Sequence, residues 1–199
     1  MSKSLEFHCA LVLLAAGASK RMGRPKQLLP VEGQTLLRHV AERVLQAQVS
    51  PVVVVLGAEF EQIEPVLSGL PLQTAVNPAW QEGMGSSLRV GVDALLERAP
   101  ALDALIIALG DQPGLPDGHL DQIIARYRQG GCSLVASHNG QRRVPPVLFG
   151  RDWFPRLRTL TGDAGAREIL REERPDFASV PLADDTDLDT PEDYARYTT

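Results

Sequence analysis

Apolar residues along this chain follow two rhythms, and their alternation predicts the architecture. Continuous apolar runs of strand length occupy Cys9 to Ala15, Val52 to Leu56 and Ala104 to Leu109, and a further strand is expected over Leu72 to Val76. Pro51 opens the second run and Gly57 ends it. Between the runs, apolar positions recur at helical spacing: Leu36, Leu37, Val40, Val44 and Leu45, then Phe60, Ile63, Val66 and Leu67, then Leu88, Val92, Leu95 and Leu96. Pro116 marks a helix start, with Leu120, Ile123, Ile124 and Tyr127 as its stripe. Leu134 to Ala136 and Pro146 to Phe149 carry weaker strand signals. A helix is expected around Ala164 to Leu170, a strand near Phe177 to Val180 and a last helix from Pro191.

Strands apolar on both faces, alternating with helices, predict a mostly parallel sheet covered on each side. The expected fold is a single-domain α/β protein, a three-layer α/β/α sandwich with a Rossmann-like sheet. At 199 residues, with no internal repeat or linker, the chain suits one domain with a substantial core. Ligands of open sheets sit beyond the carboxyl ends of the strands. Three polar, glycine-bearing segments should therefore meet on one edge: Gly17 to Lys26, Asn77 to Ser87, and Gly110 to Pro113.

Composition narrows the function classes. A hydrophobic share of 44%, a charged share of 23% and a net charge of −5 are ordinary for a soluble domain, and argue against a nucleic-acid binder, which usually carries a basic face. No run approaches the ~20 apolar residues of a membrane span. Met1 to His8 is short and mixed, unlike a secretory signal, so a cytoplasmic location is expected. Cys9 and Cys132 lack CxxC spacing, which points to neither zinc nor a disulfide framework; both are expected to be buried. His8, His39, His119 and His138 form no catalytic or metal pattern and are expected at the surface or at helix caps. Trp80 and Trp153 are expected to pack.

The chemistry concentrates in Leu11 to Pro30, LVLLAAGASKRMGRPKQLLP. The strand ends in Ala15-Ala16-Gly17, followed by Ala18 and Ser19, and Pro25 bars a regular helix. Small residues admit a ligand close to the backbone, unpaired amides there make an anion-binding nest, and Arg21 and Lys26 supply cations for a polyphosphate. The segment is neither a Walker A loop, which ends in Gly-Lys-Ser/Thr, nor a Gly-x-Gly-x-x-Gly dinucleotide fingerprint. Asp111, at a strand end before Gln112-Pro113, is placed to hold a hard cation such as Mg²⁺, although an aspartate before a proline also forms turns. Thr190, Pro191 and Asp193 read as a capped helix start, which leaves Asp187 and Asp189 outside the cap. Asn77 with Gly83, Gly85, Ser86 and Ser87 reads as a binding loop entering a helix, with a serine free to cap it. Asp163 similarly reads as a helix cap.

The first segment resembles the LAAGxSxRMGxxKxLLP signature of nucleotidyltransferases that use a nucleoside triphosphate. LGDQP around Asp111 is similar to their metal-binding aspartate segment, and Asp189 matches the second magnesium carboxylate of their DxDTPEDY-type ending. Asp187 stays open between metal ligand and solvated acid. The resemblance places Asn77, Gly83, Gly85 and Ser86 near the nucleotide base and sugar, and gives Arg21, Lys26 and the amides of Ala15 to Ser19 to the triphosphate.

PVLF from Pro146 and GDAGAR, with Gly162, Asp163 and Arg167, resemble the acceptor side of one branch: molybdenum cofactor cytidylyltransferases, within the MobA-like nucleotidyltransferase family. Many relatives have Gly-His-Pro where this chain has Val144-Pro145-Pro146. The resemblance implies Mg²⁺-dependent transfer of CMP from CTP to a molybdopterin-type cofactor, with a molybdenum hydroxylase as a transient partner and no nucleic acid or membrane. Ala16, where the guanylyl branch more often has glycine, is expected to narrow the base pocket against a purine. Another triphosphate or another small phosphorylated acceptor remains an alternative, as does a non-catalytic chaperone for the cofactor. A nicotinamide-dependent oxidoreductase is disfavoured by the missing fingerprint.

Overall fold

The computed structural model describes residues 7–162 and 165–198. Strands β1 (Cys9–Leu14), β4 (Val52–Leu56), β5 (Gln73–Val76), β6 (Ala104–Leu109), β7 (Leu134–His138), β8 (Arg143–Gly150) and β9 (Phe177–Pro181) form one sheet in the order β5-β4-β1-β6-β8-β7-β9. Two short strands, β2 (Pro30–Val31) and β3 (Gln34–Thr35), make a separate hairpin. Helices α1 (Leu36–Val44), α2 (Phe60–Ile63), α3 (Met84–Arg98), α4 (His119–Arg128), α5 (Phe154–Leu157), α6 (Arg167–Leu170) and α7 (Pro191–Tyr197) complete the regular structure.

The four leading strands are parallel, and three of them, β1, β4 and β6, are buried on both faces, which is why their sequences read as unbroken apolar runs. β5, at the sheet edge, is half-buried and carries Gln73 and Thr74. Leu11, Leu13, Val52 and Val54 join α1 and α4 in one core layer. Val12, Val53 and Val55 join Leu88, Val92 and Leu95 of α3 in the other. Each fully buried leucine contributes about 1.5–3 kcal/mol, and α3 brings its stripe to the sheet because Gly91 lets it approach closely. A Cβ at Gly91 would stand 2.5 Å from Val12 Cγ1.

Several boundaries differ from the sequence reading for local reasons. The Phe60 to Leu67 stretch is not one helix: α2 gives way to a 3₁₀ turn over Glu64–Leu67, with Pro65 at its start. α4 begins at His119 rather than near Pro116, because Gly118 takes a left-handed φ of 74° just before it. Of the expected Ala164 helix, Ala164 lies outside the described residues and α6 starts at Arg167. β8 is longer than Pro146 to Phe149 and runs antiparallel to both neighbours. Only four residues join it to β7, too few for a parallel crossover. Their Asn139-Gly140, with Gly140 at φ 90°, is a hairpin signal that went unused.

Two expectations about polar residues are corrected. His39 and His119 are buried, not at the surface; His119 Nε2 lies 2.8 Å from Ser137 Oγ, which donates to Pro146 O. Cys9 is buried, but Cys132 is only half-buried, beside the Arg126 guanidinium. Trp153 packs as expected, between Phe149 and Phe177. No helix among the described residues is long and apolar enough to cross a membrane.

Candidate active site

Adjacent parallel strands β5, β4, β1 and β6 end on the same edge of the sheet, so the loops that follow β1, β5 and β6 emerge together there. The loop after β1 is held from both sides. Ala15 N donates to Val55 O at 2.9 Å, and Ala58 N donates to Ala16 O at 3.1 Å. Gly57 makes that approach possible, since a Cβ there would meet Ala16 O at 2.7 Å. The Ala16 methyl is buried against Gly57 beside Trp80. Ser19 takes a left-handed φ of 52°, which turns the chain toward Met22.

After that turn, a 3₁₀ segment over Lys26–Leu28 begins, and Lys26 reaches across the edge. Its ammonium forms an ion pair with Asp111 and lies 2.6 Å from Asp189 Oδ1. Arg21 meets the other oxygen of Asp189 at 2.9 Å. Burial pulls the Lys26 pKa down, but the two carboxylates outweigh it and hold the ammonium above its ordinary value. Burial similarly raises Asp189, yet the Lys26 hydrogen bond and charge, with Arg21, leave it below the usual carboxylate range.

The acidic segment is tied to β6 by its backbone: Leu188 N donates to Asp111 O at 3.0 Å, and Leu188 itself is fully buried. Asp189 therefore faces Lys26, while Asp187 turns to Gln112, whose Nε2 donates to its carboxylate at 2.8 Å. Burial first, then the nearby Asp111 charge, push the Asp187 carboxyl up to about 6. Immediately after, Thr190 and Asp193 form a reciprocal capping box with Pro191 at the first position of α7.

Asp111 Oδ1 is buried and has no hydrogen-bond partner. Leaving a buried carboxylate oxygen unpaired is costly, and this oxygen is available to a cation. Among the described residues no group of three or more His, Cys, Asp and Glu is disposed around one metal position. Two carboxylates with substrate phosphate oxygens and water are nevertheless a suitable donor set for Mg²⁺.

The Asn77 loop is organised from within. Asn77 is 1% exposed, and its Nδ2 donates to Ser86 Oγ at 2.8 Å and Ser87 Oγ at 2.9 Å. The Ser86 hydroxyl donates toward Ala79 O and Gly83 O. Neither serine caps α3; Gly83, at φ 106°, precedes it without a side-chain cap. At Gly85 the close approach is made by the protein's own backbone, since a Cβ there would meet Thr161 C at 2.9 Å. Gly85 N also donates to Gly162 O at 2.9 Å, which brings the expected acceptor segment against the Asn77 loop.

Beside these loops lies a cavity of about 860 Å³ whose lining includes Gln112, Arg142, Arg143, Pro145, Arg167 and Asp187. Arg167 thus lines it, and Pro146 falls between the lining residues Pro145 and Val147. Asp163 lies outside the described residues. Sequence reasoning missed Gln27, which is 2% exposed and bonded to the β1 loop. A lone amide between Lys26 and the apolar Leu28-Leu29 was the available signal. It also missed Gln112, although the DQP string contains it.

This fold and site define a class. The MobA-like NTP transferase domain family matches residues 11–177, and the chain belongs to that nucleotidyltransferase family. It is similar to nicotine blue oxidoreductase of Paenarthrobacter nicotinovorans, at 39% identity over 92% of this chain and 89% of that protein. Purine catabolism protein PucB of Bacillus subtilis is 31% identical, over 92% of each chain. Among solved structures, Rv0371c from Mycobacterium tuberculosis H37Rv superimposes with a TM-score of 0.84 at 27% identity, covering 96% of this chain and 97% of that one. A manganese complex of the same mycobacterial protein gives 0.79 at 26% identity, covering 95% and 97%.

Proposed function

We propose that the chain transfers CMP from CTP to the terminal phosphate of a molybdopterin-type cofactor and releases pyrophosphate, its product passing to a molybdenum hydroxylase. The observation that carries this reading is the meeting of Lys26 with Asp111 and Asp189, 85 and 163 residues away in the sequence. In it, the acceptor phosphate attacks the α-phosphorus in line and pyrophosphate leaves. No covalent enzyme intermediate is needed, so the protein's work is alignment and charge neutralisation.

Arg21 and Lys26 would hold the triphosphate, with the amides of Ala16 to Ser19 adding hydrogen bonds. Asp111 and Asp189 would hold Mg²⁺, and the unpartnered Asp111 oxygen supports that role. The cation, when bound, supplies charge to offset the phosphates; the manganese complex of Rv0371c supports a divalent ion on this fold. Arg142, Arg143 and Arg167 around the adjoining cavity favour an anionic acceptor. The PVLF and GDxGAR resemblance supports molybdopterin as its class, and Ala15-Ala16-Gly17 supports CTP.

The test is an assay of purified protein with Mg²⁺, all four triphosphates and a panel of phosphorylated acceptors, reading pyrophosphate. CTP with a molybdopterin-type acceptor is expected to turn over fastest. Silence with every pair would overturn the reading. A second reading, redox chemistry, is favoured by one observation, the name of the 39% identical relative. Under it, purified protein would oxidise a reduced nicotinamide in the presence of a dye acceptor without releasing pyrophosphate. The chain carries no dinucleotide fingerprint after β1, and an oxidoreductase has no use for the Lys26, Asp111 and Asp189 cluster.

A further inference from the structure

Gln27 is a primary amide sealed beneath the glycine loop. Its Nε2 donates to Ala15 O at 2.8 Å and to Gly17 O at 3.0 Å. Its Oε1 accepts from Ser19 Oγ at 3.3 Å, and the same hydroxyl accepts from Lys26 N at 3.0 Å. One buried side chain therefore grips the loop at three residues, and Ser19 links that grip to the backbone of the functional lysine.

Peptide geometry turns this grip into a direction. In a trans peptide the carbonyl of one residue and the N–H of the next point opposite ways across a rigid plane. With the carbonyls of Ala15 and Gly17 drawn to one amide nitrogen, the N–H groups of Ala16 and Ala18 are turned away from it together. Ala16 O is likewise occupied, by Ala58 N, which aims the Gly17 N–H. Among the described residues no acceptor meets the backbone N–H of Ala16, Gly17, Ala18 or Ser19. A run of unpaired amides with its carbonyls tied back is an anion-binding nest.

We propose that Gln27 is the positioning residue of this nest. It holds the loop carbonyls away from an incoming polyphosphate and the loop amides toward it, without touching the ligand. The proposal rests on reading the loop as the triphosphate site. Lacking Gln27's donor, the carbonyls of Ala15 and Gly17 lose their anchor, and an outward carbonyl repels phosphate where an amide attracted it.

Gln27→Met keeps the length and removes the donor. Gln27→Glu keeps size, polarity and the Ser19 hydrogen bond, but sets an acceptor against two carbonyls; it carries the test should the methionine variant unfold. Titration calorimetry with inorganic triphosphate and Mg²⁺ is expected to show binding at least about tenfold weaker in both, as for loss of a buried hydrogen-bonded donor. The KM for the nucleotide should rise while that for the acceptor holds, and hydrogen exchange at Ala15, Met22 and Lys26, whose amides are bonded, should quicken while that of β1 and α3 does not. Variants that bind triphosphate like the wild type overturn the positioning role. A wild-type protein that neither binds inorganic triphosphate nor releases pyrophosphate overturns the reading of the loop instead, and the proposal with it.

Discussion

Lys26 and Asp111 are each less than one-fifth exposed, and each is the other's main counter-charge at the sheet edge. Removing either leaves a partly buried charge without its partner and, in the proposed mechanism, takes an electrostatic contact from the reaction. Lys26→Ala or Asp111→Ala is expected to lower pyrophosphate release at least ~100-fold, the scale of losing one preorganised charge-stabilising group. Circular dichroism should verify that the fold persists; near-normal rates in both variants would remove the mechanism. Asn77 carries a different load. Asn77→Ala would remove the amide donor to Ser86 and Ser87 and the acceptor for Ala79 N inside a buried turn, and is expected to cost about 1–3 kcal/mol in urea unfolding. Among the thiols, burial and then the Asp103 charge push Cys9 up to about 12. Burial also raises Cys132, though Arg126 opposes it. Alkylation of the native protein followed by peptide mass spectrometry should mark Cys132 first, and Cys9 only after unfolding.

At the scale of elements, α3 connects the Asn77 loop to the sheet. Its seating depends on Gly91, where a Cβ would meet Val12 Cγ1 at 2.5 Å and Val55 Cγ2 at 2.9 Å. Helix propensity favours alanine over glycine by about 1 kcal/mol, but forcing a methyl into a packed core costs about 1–3 kcal/mol. Neither valine can swing clear within the sheet, so Gly91→Ala is expected to lower the urea midpoint; a raised midpoint would mean that α3 lifts freely. The helix's period and strand-length runs were legible because both of their surroundings repeat along the chain. The direction of β8 was not read, although Asn139-Gly140 offered it, because its apolar run looks the same in either direction. The pairing Ala104 with Gly150 sets that strand antiparallel to β6.

Across the whole molecule, the carboxyl edge of the parallel strands carries the Lys26 cluster, while Gly150 and its neighbours Tyr127, Cys132 and Arg151 lie at the opposite edge. Hydrogen exchange with CTP and Mg²⁺ is therefore expected to protect residues 15–27, 110–113 and 186–190 together and leave 126–133 and 150–153 unchanged. Protection confined to the second group would move the binding site across the sheet. The grouping of the Gly17 to Lys26, Asn77 to Ser87 and Gly110 to Pro113 segments on one edge followed from the β-α alternation, through the rule that ligands sit beyond the carboxyl ends.

By itself the sequence determined the strand and helix periods, the two-sided burial of the central strands β1, β4 and β6, the capped start of α7 and the loop of small residues with its cations. Each of these depends on residues a few positions apart, whose chemistry acts over a turn or a pleat. Only the tertiary structure decided that Asp189 turns to Lys26 while Asp187 turns to Gln112, that Gly85 yields to the 160–162 backbone, and that Gln27 ties down the loop. Those choices depend on which distant backbone fills the space beside a side chain, and spacing along the chain carries no record of it.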